Sequence, residues 1–235
     1  MPPVLDVLNI STIDPDRPGW ERWIDASRLA AASRFRLKDD RARCIGAGLL
    51  LAHAVRRIDP ACTLPPRPSR GANGKPFLPD LPHFHFSLAH SGKWAVCAVA
   101  DHPVGVDIEP LPSMADVVDV ARRCFTQIEL RHLFSLPESD RPSAFCTLWT
   151  IKESYMKATG LGFQIAPQEL EIRLGPPITL HRNGIPVPCQ LAIPSSPEPD
   201  YHIALTQLSD MPPRKRKDAI DMNNISLTKL INHLN

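Results

Sequence analysis

Short apolar runs of strand length alternate along the chain with longer stretches whose apolar residues recur at helical spacing. Residues 4–10 (VLDVLNI) predict a first strand. Residues 20–35 predict a helix, with Trp20, Trp23, Ile24, Ser27 and Leu29 at near-helical spacing. A second helix is expected over 39–58, where Ile45, Leu49, Ala52 and Val55 share one stripe and Asp39 or Asp40 is the candidate N-cap. A proline-rich loop spans 59–72, and Asn73-Gly74 is a turn signal. His83–Ser87 and Lys93–Ala100 read as two strands joined by the turn Ala89-His90-Ser91-Gly92.

After Pro103 the pattern starts again. Val104–Glu109 reads as a strand and Ala115–Phe125 as a helix. Thr126 and Glu129 have the spacing of a capping box opening the next helix. The strongest helical pattern runs from Ser143 to Thr159, with Gly160 and Gly162 suited to its end. Strand-like runs follow at 169–174, 189–193 and 201–208. Helices and strands are segregated, which favours an α+β fold over a parallel α/β one, and two similar α+β units in tandem fit the order. The expected division is 1–103, 104–210 and a basic, poorly packed tail over 211–235 that carries one marginal helix.

Composition narrows the class. With 235 residues, 43% of them hydrophobic, the chain can bury a large core as one big domain or two smaller ones. The 26 prolines cluster between the apolar runs, where they stop elements and stiffen connections. A net charge of +2 gives no global field for nucleic acid. The run Arg214-Lys215-Arg216-Lys217 is short and lies in the tail, so no nucleic-acid partner is expected. The six cysteines form no Cys-x-x-Cys pair and sit among apolar or helical residues, as buried free thiols do. Met1–Ile10 has no basic stretch leading into a long apolar run, and no segment is apolar enough to span a membrane. A cytosolic protein is expected.

Three places carry candidate chemistry. In Gly105-Val106-Asp107-Ile108-Glu109, residues two apart on a strand share a face, so Asp107 and Glu109 project together. Neighbouring carboxylates repel, and a hard divalent cation such as magnesium resolves the repulsion. The plain alternative is an acidic face on an edge strand. In the run 149–157 (WTIKESYMK), Glu153 and Lys157 are one helical turn apart. They form either a surface salt bridge of small value or a metal ligand beside a phosphate-binding lysine. Trp149 sits one turn earlier, as a core residue or a screen against water. The third place combines Lys75 with His90, Ser91 and Gly92, which offer charge, a ring donor and backbone N–H groups to an anion.

Taken together, NGKPFLPD (73–80), FHFSLAHSGKWAV (84–96), GVDIE (105–109), ARRCFTQIE (121–129) and LWTIKESYMKATG (148–160) resemble the 4'-phosphopantetheinyl transferase family. The likeness is to its long, monomeric type that activates nonribosomal peptide synthetases, and it covers roughly residues 20–208. It implies two similar α+β halves related by a pseudo-twofold axis, with the active site at their interface. It also implies transfer of the phosphopantetheine arm of coenzyme A to a serine of an apo acyl or peptidyl carrier protein, a holo-[acyl-carrier-protein] synthase activity. By this resemblance Asp107, Glu109 and Glu153 would hold magnesium, or manganese, with the coenzyme A pyrophosphate. Lys157 and His90 would contact phosphates, with Ser91 beside them, and Lys75 and Arg28 would hold the adenosine and its 3'-phosphate. The sequence departs from the family at Ala31, where a basic residue is usual, at Cys44, where a hydroxyl is common, and at Ala89, where serine is common.

The carrier serine must lose a proton as it attacks. Glu153 is the first candidate base and Glu129 the second, because ARRCFTQIE matches a stretch near the family's site. Arg122, Arg123 and Arg131 are candidates to face an acidic carrier. Two rival readings remain: a magnesium-dependent phosphohydrolase using the same carboxylates, and a carrier-binding module without catalysis. The chain has no G-x-x-x-x-G-K-[ST] phosphate loop of the nucleoside triphosphatases.

Overall fold

The computed structural model describes residues 2–209 and 221–235. The chain begins with β1 (Val4–Asn9), α1 (Ala26–Ser33), α2 (Lys38–Ile58), β2 (Ser69–Arg70), β3 (Pro76–Phe77), β4 (His85–Ser91) and β5 (Trp94–Ala100). Then come β6 (Val104–Pro110), α3 (Met114–Cys124), α4 (Gln127–Ser135), α5 (Arg141–Thr159), β7 (Leu170–Arg173), β8 (Thr179–Arg182) and β9 (Ile185–Pro186). It closes with β10 (Cys189–Ala192), β11 (Tyr201–Leu208), β12 (Asp221–Ile225) and α6 (Leu227–Leu234). Two compact units result, one made of Met1–Asp101 with Ile220–Asn235 and the other of His102–Ala219. The mixed helix and sheet content matches the α+β expectation.

In the first unit, the strand order is β12-β1-β5-β4. β1 runs antiparallel to β5 and parallel to β12. Every residue of β5 (WAVCAVA) is buried, which is why the run reads as continuous apolar sequence rather than alternation. Helix α2 packs on this sheet through Ile45, Leu49, Leu50 and Ala52, in one core with Leu8, Trp20, Trp23, Phe86 and Val99. Each fully buried leucine here contributes about 2 kcal/mol.

The second unit has the sheet β10-β11-β6 and a smaller one, β7-β8-β9. Helix α5 lies over β6 and β11, and its Leu148, Ile151, Tyr155 and Met156 share a core with Val117, Leu133, Ile172 and Leu180. Its end is fixed by Gly160, whose φ of 72° supplies the left-handed turn that closes the last carbonyls. The capping box of Thr126 and Glu129 is formed at the start of α4.

Several expectations are corrected. The helix expected over 20–35 is a short 3-10 turn at Trp20–Arg22 followed by α1. The break comes from Asp25, whose side chain accepts from the amide of Arg28 and so starts a new helix. Neither Asp39 nor Asp40 is the N-cap of α2; that position is Leu37, and both acids lie in the first turn, where they favour the helix dipole. Ala89, His90 and Ser91 continue strand β4 up to the tight turn at Gly92-Lys93, where Gly92 has a φ of 52°. Strand β8 fills a stretch that the apolar pattern left unassigned.

The tail also differs from expectation. The basic run 214–217 lies outside the described residues. Residues 221–235 are not poorly packed: β12 pairs along β1, and α6 buries Leu230 and Leu234 in the first unit's core. The spacing of Leu227, Leu230, Ile231 and Leu234 makes one apolar stripe, which α2 covers. Among the described residues no helix is long and apolar enough to cross a membrane. All six cysteines are free, and Cys44, Cys97, Cys146 and Cys189 are buried.

Candidate active site

The site is built where α5 crosses β6. Gly105 makes the crossing possible. A Cβ at this position would overlap the carbonyl oxygen of Ser154 and the amide nitrogen of Ala158, both helix backbone. The close approach is also held by a 2.7 Å hydroxyl contact between Ser154 and Thr206 on β11. Two residues along β6 from this contact, Asp107 comes against the last turns of α5.

There Lys157 Nζ donates to Asp107 Oδ1 at 2.6 Å. Asp107 is 4% exposed, and its other oxygen, Oδ2, is buried with no hydrogen-bond partner. Glu153 lies one turn before Lys157 and is half-buried. Burial first, then the charge of Asp107, pushes its carboxyl up to about 7, with Lys157 pulling back and Glu109 adding to the rise. A carboxyl poised there exchanges protons at neutral pH. Glu109 is half-buried two residues beyond Asp107, and its cross-strand partner on β11 is His202. The His202 ring lies 3.2 Å from both Ser143 Oγ and Thr147 Oγ1 of α5, and burial lowers its pKa. Sequence reading missed Gly105 and His202; the glycine of GVDIE was the available signal for the first, and the second shows only through strand pairing.

The strand and the helix thus bring Asp107, Glu153 and Lys157 together. Among the described residues, however, no three of His, Cys, Asp and Glu are gathered closely enough to hold one metal ion. The Lys157 ammonium already supplies the positive charge at Asp107 Oδ1. The donor set still suits a hard cation: Oδ2 of Asp107 is a buried oxygen without a partner, and Glu153 is a carboxylate whose ionisation the surroundings oppose.

Glu129 has a different place from the one expected of a base. It is 2% exposed. Its Oε2 accepts from Thr126 N at 2.7 Å and Lys152 Nζ at 2.8 Å, and its Oε1 accepts from Ile172 N at 2.8 Å. Lys152, also fully buried, donates as well to the carbonyls of Leu170, Pro167 and Cys124. Burial pulls the Lys152 ammonium down while Glu129 holds it up. This saturated pair ties α4, α5 and β7 together, and an incoming hydroxyl has no access to it. Trp149 is partly buried and stacks on Phe145, so it serves the core.

The candidates for the nucleotide end of coenzyme A belong to the first unit. Arg28 lies on α1, and its guanidinium reaches the carbonyl of Cys44 at 3.5 Å. Cys44 is buried, and its thiol faces the Arg28 carbonyl at 3.7 Å. Lys75 sits in the turn between β2 and β3, where burial lowers its pKa to about 8. His90 and Ser91 close strand β4, His90 exposed and Ser91 half-buried. Ala89 is buried in the same strand, whereas Ala31 is exposed on α1. Arg122, Arg123 and Arg131 are exposed on α3 and α4.

Comparison with known proteins adds a family. Residues 103–206 match the model of the 4'-phosphopantetheinyl transferase superfamily. The chain is 29% identical to 4'-phosphopantetheinyl transferase Sfp of Bacillus subtilis (strain 168), over 76% of this chain and 75% of that protein. It is 34% identical to 4'-phosphopantetheinyl transferase psf-1 of Bacillus pumilus, over 65% of this chain and 64% of that protein. With 4'-phosphopantetheinyl transferase ffp of Bacillus subtilis it shares 30% identity, over 65% of this chain and 67% of that protein.

Proposed function

The chain belongs to the 4'-phosphopantetheinyl transferase superfamily, and from that premise we propose that it moves the 4'-phosphopantetheine arm of coenzyme A onto a serine of an apo carrier protein. The observation that carries this reading is Lys157 bonded to Asp107 beside Glu153, inside the matched segment. In the reaction the serine oxygen attacks the β-phosphorus, the bond to the bridging oxygen breaks, and 3',5'-ADP leaves. Glu153 takes the serine proton, directly or through a water. Without a metal its pKa is about 7; a bound cation would lower it and leave the carboxylate ionised, ready to accept the proton. Lys157 offsets charge growing on the leaving phosphate, and positioning supplies much of the rest.

Magnesium, or manganese, would be held by Asp107 and Glu153 together with the coenzyme A pyrophosphate, Glu109 joining as third carboxylate only on a rearrangement of its side chain, and when bound would neutralise the pyrophosphate charge. Arg28, Lys75, His90 and Ser91 would hold the nucleotide end of coenzyme A. Exposed Arg122, Arg123 and Arg131 would meet an acidic carrier. A single-chain enzyme with two related halves, working in the cytosol, belongs to the same reading.

The test is intact-mass analysis of several apo carriers incubated with the protein, coenzyme A and magnesium. A carrier that gains the mass of the arm supports the transferase. Consumption of coenzyme A with every carrier unchanged would overturn it and restore a phosphohydrolase.

A further inference from the structure

A cavity of about 230 Å³ lies in the second unit among β7, β8, β9 and β10. It is formed by a regular feature of strand geometry. Cross-strand pairing sets Arg173 opposite Thr179 and Glu171 opposite His181. Residues two apart share a face, so these four polar side chains occupy one face of the β7–β8 ribbon. Ile172 and Leu180 are buried in the unit's core. Arg173, Thr179 and His181 line the cavity, and Ile178, Val187 and Leu191 give it apolar walls.

His181 is the informative residue. It is 6% exposed, and its Nδ1 is buried with no hydrogen-bond partner. A buried ring nitrogen left unpaired costs about 1–3 kcal/mol, so a polar group normally meets it. Arg173 stands diagonally across the ribbon, within the reach of long side chains on such a face. Arg173 Nε donates to Glu171 at 2.6 Å, and the Arg173 side chain, which also lines the cavity, stays more than half exposed. The Arg173 fork and the His181 imidazole over apolar walls match a carboxylate head with a short hydrocarbon tail. The volume is below that of pockets for drug-sized ligands, which start near roughly 300 Å³, so the tail must be short.

We infer that this cavity binds a small aliphatic carboxylate, its head held between His181 and Arg173 and its chain against Ile178, Val187 and Leu191. The site is separate from Asp107, Glu153 and Lys157, and the inference does not rest on the transferase reading. The test is titration of the full chain with hexanoate, followed by the NMR signals of the His181 ring and the Val187 and Leu191 methyls. Hexanol and His181→Ala and Arg173→Leu variants run in parallel. The expected result is saturable binding in the millimolar range, weakened about tenfold or more in each variant and for hexanol. Absence of saturable shifts in the parent chain would overturn the inference. Equal binding of hexanol, or an unchanged affinity in Arg173→Leu, would overturn the carboxylate as the recognised group.

Discussion

The long helices of the two units, α2 and α5, do the same mechanical job with opposite chemistry. Each lies over the antiparallel strands of its own unit and supplies much of that unit's core. The fully buried residues of α2 between Ala42 and Val55 are almost wholly hydrocarbon, with His53 the one strongly polar member and Arg43 half-buried beside them. The matching stretch of α5 buries Lys152, Thr150 and Ser154 and half-buries Glu153 and Lys157. Close approach is also obtained differently. In α2 the glycines are on the helix, and a Cβ at Gly46 or Gly48 would come within 2.7 Å of side-chain atoms, Ile10 Cγ2 or Arg28 Cδ. In the second unit the glycine is on the strand, and Gly105 faces helix backbone, which cannot step aside. Helix α2 is built mainly for packing. The other holds charge against a rigid contact, as a site for chemistry needs.

The largest expected difference concerns buried charge. Glu129→Ala leaves the Lys152 ammonium stranded in the core and should cost about 3–5 kcal/mol, read as a shift in the urea midpoint. Asp6→Ala, which breaks the 2.8 Å pair with the partly exposed Arg57 of α2, should cost clearly less. Equal losses would erase the contrast. Next comes Gly105→Ala, expected to destabilise by about 3 kcal/mol and to abolish transfer, against about 1 kcal/mol for Gly48→Ala, where a side chain can yield. Transfer at the parent rate in Gly105→Ala would show that α5 has room to move.

Lys157→Ala should lower turnover by about 100-fold, the scale for removing one aimed charge, and should also cost stability, because it leaves the buried Asp107 without its partner. An unchanged rate would return the Lys157–Asp107 bond to an ordinary ion pair.

A further contrast is in pH dependence. Glu153 is raised from 4.5 to about 7, so between those values the folded chain keeps a proton that the unfolded chain has released. Stability in chelator-treated buffer should therefore fall as pH rises through that window and level off above it. Glu153→Gln should flatten the slope, and added magnesium should do the same if these carboxylates hold it. A slope identical in Glu153→Gln would place its origin elsewhere.

Much of this was legible in the sequence. The capping box at Thr126, the end of α5 at Gly160 and the strand 104–110 each follow from local chemistry. The period of each segment put its own charges on one face; that GVDIE meets the Glu153–Lys157 turn was implied by the family resemblance. What failed depended on tertiary context. Glu129 looked like a site acid because sequence gives no sign that Lys152, not solvent, lies beside it. Strand β12 is polar at Asp221, Asn223 and Asn224, so its pattern resembles a loop until β1 offers an edge. His202 joins Glu109 only through strand register.

The most direct measurement is the rate at which Asp107→Asn moves the arm of coenzyme A onto an apo carrier. The substitution keeps the side chain's shape and removes only the charge that Lys157 and Glu153 face. The account predicts a loss of at least roughly 100-fold with a melting temperature near that of the parent chain. Transfer at the parent rate by a folded Asp107→Asn protein would contradict it.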